Sequence, residues 1–305
     1  MKYINLGGSG LMASAVGLGC MRIAKLERDQ VVDLVGRARD SGLNLFDHAD
    51  IYAKGQSEEI FAQALGMRAS LRDNIIIQSK CGICEGYYDS SKQHILSSVD
   101  GSLKRLRTDH LDVLLLHRPD ALSEPQEIAD AFDALAASGK VRYFGVSNHN
   151  SAQLDLLRKE VRQPLIINQL QLSVAHTAMI DSGLNVNMTN TASTDRDGSV
   201  LEYCRLKGVT LQAWSPLQYG MFAGSILERD RFPELIQVLN RVANDNGATA
   251  AAIAIAWILR HPAQMQAIVG STSPKRIEEM ARATDVELSR PQWYEIYRAA
   301  GNVLP

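Results

Sequence analysis

Cysteine is scarce in this chain of 305 residues. There are four, Cys20, Cys81, Cys84 and Cys204, too few for a disulfide scaffold of this length. No sign of charge predominates: 32 Lys and Arg stand against 34 Asp and Glu, a net charge of −2. That excludes a generically basic nucleic-acid binder and a polybasic membrane protein. No apolar run approaches the roughly 18 residues needed to span a bilayer, and the most apolar stretch, 248–259, is Ala-rich and reads as a buried helix. The opening MKYINLGGSG lacks the pattern of a secretory signal. The expectation is a cytoplasmic, reduced protein with neither nucleic-acid nor membrane partners. The 46% apolar and 22% charged residues suit a globular chain with a sizeable core.

No sequence repeat occurs, but a pattern does. Short apolar runs alternate with amphipathic stretches. The strand candidates are 15–19, 43–47, 75–79, 113–117, 141–147, 165–169, 209–215 and 267–270. Most are too uniformly apolar to keep one face in water, which suits a parallel sheet covered on both sides. Helices are expected at 28–40, from Ser57 as cap, and at 95–106, 128–137, 152–161, 200–206, 235–244, 248–259, 274–283 and 291–300. Eight strand–helix units predict an α/β fold, a single (β/α)8 barrel spanning residues 1–305. A doubly wound sheet is the competitor. It usually has fewer strands and, for dinucleotides, a G-x-G-x-x-G turn opening a helix. Gly7, Gly8 and Gly10 instead precede another apolar run, 11–16, and read as an N-terminal β-hairpin at the barrel's base. Two long segments, 173–199 and 217–233, are expected to lie as loops over the C-terminal mouth, where such barrels place their active sites.

Polar residues at strand ends are therefore the candidates for chemistry. Asp47 ends the second barrel strand with Tyr52 five residues on, Lys80 ends the third, and His117 ends the fourth. An acid, a phenol, an amine and an imidazole would share one mouth. They suit proton donation to a carbonyl oxygen. A free phenol has a pKa of about 10. Lys80 is expected to stabilise the Tyr52 phenolate and lower that value, with Asp47 holding Lys80 and His117 orienting the substrate oxygen.

Five ordered stretches carry a resemblance: FDHADIYAKGQSE (46–58), SLKRLRTDHLDVLLLH (102–117), GKVRYFGVSN (139–148), WSPL (214–217) and GSTSPKRIEE (270–279). With them the chain resembles the aldo-keto reductases over nearly its whole length. The resemblance implies metal-free, NADPH-dependent reduction of aldehydes and ketones on a (β/α)8 barrel, with Asp47, Tyr52, Lys80 and His117 as the catalytic tetrad. It further implies that Ser147, Asn148 and Gln169 bind the nicotinamide carboxamide and that Trp214 stacks on its ring. Ser215 and Leu217 would line the pyrophosphate path. Ser271, Thr272, Arg276 and Glu279 would bind the adenosine phosphate at a helix N-terminus. The chain departs from the pattern at Gly270, where many members have Lys, at Met280, where Asn is common, and at Leu170–Leu172, where Q-x-E-Y is frequent. A non-catalytic NADPH-binding sensor or regulatory subunit on the same barrel is the alternative from another functional class. The substrate would be a small carbonyl compound, and many such reductases are monomers.

Other residues carry less. Cys81 and Cys84 form a C-x-x-C with no second ligand pair, so they read as small loop residues rather than a zinc site or redox switch. His48 lacks the partners of a metal hydrolase. Arg22 and His149 are candidate anchors for an anionic or polar substrate group. Met21, Tyr87, Tyr88, Met221 and Phe222 are candidates for the substrate wall.

Overall fold

A computed structural model describes residues 1–305. Two short strands, β1 (Tyr3–Asn5) and β2 (Met12–Ser14), pair as an antiparallel hairpin. Eight more form the barrel: β3 (Val16–Gly19), β4 (Leu45–Asp47), β5 (Ile76–Cys81), β6 (Leu111–Leu116), β7 (Val141–Ser147), β8 (Leu165–Gln171), β9 (Thr210–Trp214) and β10 (Gln266–Val269). They are parallel and sequential, and β10 closes onto β3. Every residue of β5 and β6 is buried; in β6 this gives the nearly continuous apolar run LDVLLL, whereas β5 carries the buried polar residues Gln78, Ser79 and Lys80.

The outer helices supply one covered face each. In Arg28–Asp40 the buried side chains are Val31, Leu34, Val35 and Ala38, spaced for one stripe. Glu27 and Gln30 close its N-terminus as a reciprocal cap, and Gly42, at φ +88°, takes the chain out of it. The hairpin plugs the barrel's base. Leu6 and Ala13 pack with Leu45, Ile76, Val113 and Ile166 in an apolar cluster of their own. Gly7 is required there. It has φ +55°, and a Cβ would stand 2.5 Å from Cβ of Ile166.

Some local expectations need correction. Ser57 does not cap the helix after β4. That helix is Gln56–Leu65, Gly55 is its N-cap, and Ser57 lies in the first turn, donating to the Met21 carbonyl at 3.4 Å. A four-residue helix, Ala69–Arg72, precedes β5. The segment 173–199 is not all loop: Ala178–Leu184 is helical and Thr191–Ser193 forms a 3-10 turn. No single helix is long and apolar enough to cross a membrane. The bent pair Pro233–Asp245 and Ala250–Leu259 turns through 89°, and residues 252–258 of its second arm are buried in the protein core.

Candidate active site

The strand ends converge as the barrel geometry requires. Asp47 is the last residue of β4, Lys80 the penultimate one of β5, and His117 directly follows β6. Tyr52 opens a 3-10 turn, Tyr52–Gly55, in which Ala53 and Lys54 both hold left-handed φ values of 49° and 56°. Such angles cost non-glycine residues of order 1–3 kcal/mol each, so something must hold the turn. Gly55 abuts the Arg105 side chain, where a Cβ would clash at 2.7 Å. Arg105 Nε donates to Oε2 of the wholly buried Glu58 at 2.8 Å, and Ser79 Oγ donates to Oε1 at 2.7 Å. The Tyr52 turn is thereby clamped against the helix Lys92–Leu106 and strand β5.

Lys80 is the hub. Its side chain is 0% exposed. Nζ donates to Asp47 Oδ2 at 2.8 Å, to the His48 carbonyl at 2.8 Å and to Tyr52 Oη at 3.1 Å. All three ammonium hydrogens are thus spent. Because Tyr52 Oη accepts from Lys80, its own hydrogen is free to point elsewhere, and Tyr52 lines the large cavity of the mouth. The His117 ring meets the Tyr52 ring edge-on, with centroids 6.0 Å apart.

Burial disfavours the Lys80 ammonium, but Asp47 and then Tyr52 outweigh it and keep its pKa above the ordinary value. The Tyr52 pKa is raised, not lowered. Burial contributes most, Lys80 pulls it down, and Asp47 pushes it up again. The expectation that Lys80 would win therefore fails for this state, because a phenolate in the mouth loses more hydration than one ammonium returns. His117 is pushed down to about 2 by burial and then by Lys80, so its imidazole is neutral at working pH.

Beneath the tetrad lies a layer of amides that sequence reasoning missed. Asp47 Oδ1 accepts from Gln78 Nε2 at 2.5 Å and from Gln169 Nε2 at 3.1 Å. Both amides also donate to Gln212 Oε1 at 2.9 Å. Gln212 donates in turn to Gln78 at 3.0 Å and to Gln266 at 2.6 Å, and Gln266 ends on the Ser14 carbonyl at 2.6 Å. All four glutamines are buried. Gln169 shows how the layer meets the mouth: its nitrogen is spent inward, while its Oε1 accepts no hydrogen bond.

The remaining candidates line the same cavity, of about 1000 Å³: Ser147, Asn148, Gln169, Trp214, Ser215, Leu217, Ser271, Thr272, Arg276 and Glu279, together with Asp47, Tyr52 and His117. Lys80 alone stands behind the wall. Asn148, at φ +61°, donates to the His117 carbonyl and to Ser147 Oγ, and accepts from Trp214 Nε1 at 3.1 Å. This bond sets the indole at the cavity's edge. At the far end, Ser271 and Thr272 precede the helix Pro274–Ala281, which has no acidic residue in its first turn. Arg276 is exposed and lines the cavity, whereas Lys275 does not. A Cβ at Gly270 would meet nothing within 4 Å.

Among the weaker candidates, Met21, Arg22, Met221 and Phe222 line the cavity, but Tyr87, Tyr88 and His149 do not. His149 is buried, with Nδ1 against the Ser147 carbonyl at 2.9 Å and a pKa pushed down by burial to about 4. Its position next to Asn148 was a poor guide, because the left-handed turn at Asn148 sends it inward. Cys81 is buried, and Cys84 lies 3.9 Å from His94 Nε2; neither is in a disulfide. No three His, Cys, Asp or Glu side chains gather as a metal site. His48 is wholly buried against Phe61, with ring centroids 4.7 Å apart and a pKa of about 3, lowered by burial and then by Lys80. Besides the buried glutamines, Arg118 was missed; it sits beside His117 on the cavity wall.

These imidazoles have a stability consequence. His48 and His149 are held below their ordinary value of 6.5, so the unfolded chain takes up protons first as pH falls. Their contribution is complete above about pH 6.5 and is lost as pH drops, toward about 4 for His149 and about 3 for His48. The urea midpoint should fall across that interval. A flat midpoint there would show that both rings titrate normally.

Comparison with known proteins gives a consistent picture. The sequence model of the "Aldo/keto reductase family" matches residues 15–300. An uncharacterized oxidoreductase of Bacillus subtilis, YcsN, is 36% identical over 282 residues, covering 88% of each chain. A 6-dehydroglucose reductase of Agrobacterium fabrum is 36% identical over 270 residues, covering 85% of this chain and 84% of its own. The crystal structure of an aldo/keto reductase from Klebsiella pneumoniae, in complex with NADP and acetate, superposes with a TM-score of 0.78 at 27% identity, covering 100% of this chain and 97% of that one.

Proposed function

Because the chain belongs to the aldo/keto reductase family, we propose that it reduces aldehydes or ketones to alcohols with NADPH, using Tyr52 as the proton donor. The observation that carries this reading is the three-way grip of Lys80, which makes Tyr52 Oη an acceptor and leaves its hydroxyl hydrogen free to face the cavity. His117, neutral, donates a hydrogen bond that orients the substrate oxygen. Asp47 keeps Lys80 charged and in place.

The residues present fit a dinucleotide. The cavity runs from the tetrad to the N-terminus of Pro274–Ala281. Gln169 Oε1 is unspent and suits a carboxamide N–H. At the other end, free backbone N–H groups, two hydroxyls and Arg276 suit a phosphate. NADPH supplies the hydride when bound. The protein's part is to hold the ring near Trp214, to exclude water from the tetrad and to deliver the Tyr52 proton to the oxygen that gains charge.

The direct test is steady oxidation of NADPH by the purified protein with a panel of simple aldehydes and ketones. Binding of NADPH without turnover of any of them would favour the sensor reading instead.

Two further results are expected. Trp257 and Trp293 stack on each other at 4.7 Å in the core, so Trp214 is the only indole lining the cavity. NADPH should quench tryptophan fluorescence, and Trp214→Ala should remove most of that quench; an unchanged quench would place the nicotinamide elsewhere. Arg276→Ala should weaken NADPH by about tenfold or somewhat more, as expected for one hydrogen bond between charged groups. NADH, lacking the 2′-phosphate, should lose much less. Glu278 does not compete for Arg276, since it pairs with Arg37 at 3.0 Å. Equal losses for both cofactors would make Arg276 a support of the helix rather than a phosphate ligand.

A further inference from the structure

We propose that a second chamber beside the main cavity is an anion subsite, which takes a carboxylate or phosphate borne by the carbonyl substrate and holds it through Arg118. This rests on the reductase reading and adds a substrate class to it. The chamber has a volume of about 340 Å³ and shares Arg118, Asn148, Trp214 and Met221 with the main cavity, so the two adjoin along that wall. Arg118 follows His117 directly, which puts its Cα about 3.8 Å from that of the imidazole residue.

Arg118 lacks a counter-ion. It is partly buried, yet makes no ion pair; its one side-chain hydrogen bond is to the Met221 sulfur at 3.6 Å, a weak acceptor. The other arginines held at buried carboxylates are all matched: Arg72 and Arg142 to Asp112, Arg105 to Glu58. A second, independent donor faces the same space. Gln171 lines the chamber, and its Nε2 is buried with no hydrogen-bond partner. A buried donor without an acceptor is costly, and an anionic oxygen would satisfy it. The only carboxylate in the chamber wall is Asp197. It forms no ion pair with Arg118, and its Oδ1 accepts from the Val200 N–H at 3.2 Å. Within the tetrad, Lys80 and Asp47 cancel. The Arg118 guanidinium is thus an uncompensated charge on the residue next to His117, and its planar fork matches a carboxylate or phosphate.

The experiment compares matched substrates with NADPH: 4-carboxybenzaldehyde against 4-methylbenzaldehyde, and glyceraldehyde 3-phosphate against glyceraldehyde. The wild type should favour the anionic member of at least one pair in kcat/KM, and the pair that shows the preference identifies the anion. In Arg118→Met that preference should fall by about tenfold to a hundredfold, chiefly through KM. Arg118→Lys should recover part of it. A preference unchanged by Arg118→Met, or its absence from both pairs, overturns the proposal. Binding of 4-carboxybenzyl alcohol against 4-methylbenzyl alcohol, measured by calorimetry on the NADP complex, needs no turnover. Tighter binding of the carboxylate that is lost in Arg118→Met would sustain the subsite even if no carbonyl were reduced, in which case the reductase reading alone would fall. Equal binding of the two alcohols, with no preference in either substrate pair, would sink the subsite.

Discussion

Tyr52→Phe will lower kcat for carbonyl reduction by at least about a hundredfold, the low end for loss of a positioned general acid, while NADPH binds nearly as before. No neighbour can replace the lost hydroxyl. Lys80 loses its Tyr52 acceptor in the variant, but Nζ stays bound to Asp47 and the His48 carbonyl, and the side chain does not line the cavity. His117 is too weakly basic to hold a second proton at neutral pH, with its pKa near 2. The pH profile supplies an independent reading. Reduction uses the protonated phenol, so the rate is full below the phenol's pKa and is lost as pH rises through it. Burial raises that pKa above 10, so the wild-type rate should stay level through neutral pH and decline only on the alkaline side. The phenylalanine variant should lack that decline. Near-normal turnover in the variant, or an alkaline limb that survives in it, would remove Tyr52 from the role.

Lys80→Met will damage two properties at once. Deleting one partner of a buried ion pair leaves the other uncompensated and typically costs about 3–5 kcal/mol. Asp47, only 3% exposed, would be that partner. The amides of Gln78 and Gln169 still donate to it, which places the loss toward the lower end of the range. Activity should also fall by at least about a hundredfold, because Tyr52 loses the donor that directs its hydrogen outward. The double variant Lys80→Met, Asp47→Asn separates the effects: removing the orphaned charge should restore much of the urea midpoint and none of the rate. A single variant that keeps its wild-type midpoint would mean that Asp47 is neutral or otherwise paired. Recovery of activity in the double variant would mean that Lys80 acts only on stability.

The barrel was legible because most of its strand residues are buried, so apolar runs such as 113–117 mark the strands. The tetrad was legible for a related reason: an isolated titratable residue at the end of an apolar run is conspicuous. What escaped notice was local and polar. The helix Ala178–Leu184 contains Asp181, Ser182 and Gly183, which weaken the apolar period. Ser57 resembled a cap, but Gly55 and the strained turn before it set the helix start. His149 looked accessible because left-handed geometry at Asn148 has no sequence signature. Arg118 was passed over because a cation after a strand is usually solvated; that it lacks a partner is a three-dimensional fact. The Tyr52 shift was misjudged in sign because spacing reveals the neighbouring ammonium but not the depth of burial.

The amide layer under Asp47 makes the barrel interior visible to spectroscopy. Gln78, Gln169, Gln212 and Gln266 are shielded from solvent and engaged through their side-chain nitrogens. Their carboxamide protons exchange with solvent only when the barrel opens, so in deuterated water they persist as slowly fading resonances while surface glutamines vanish. Two of those groups donate directly to the Asp47 carboxylate, and their chemical shifts follow its charge. A magnetic-resonance titration of the intact protein can therefore register the ionisation of the deepest acid in the mouth, and its response to a bound dinucleotide, without altering any residue that touches either.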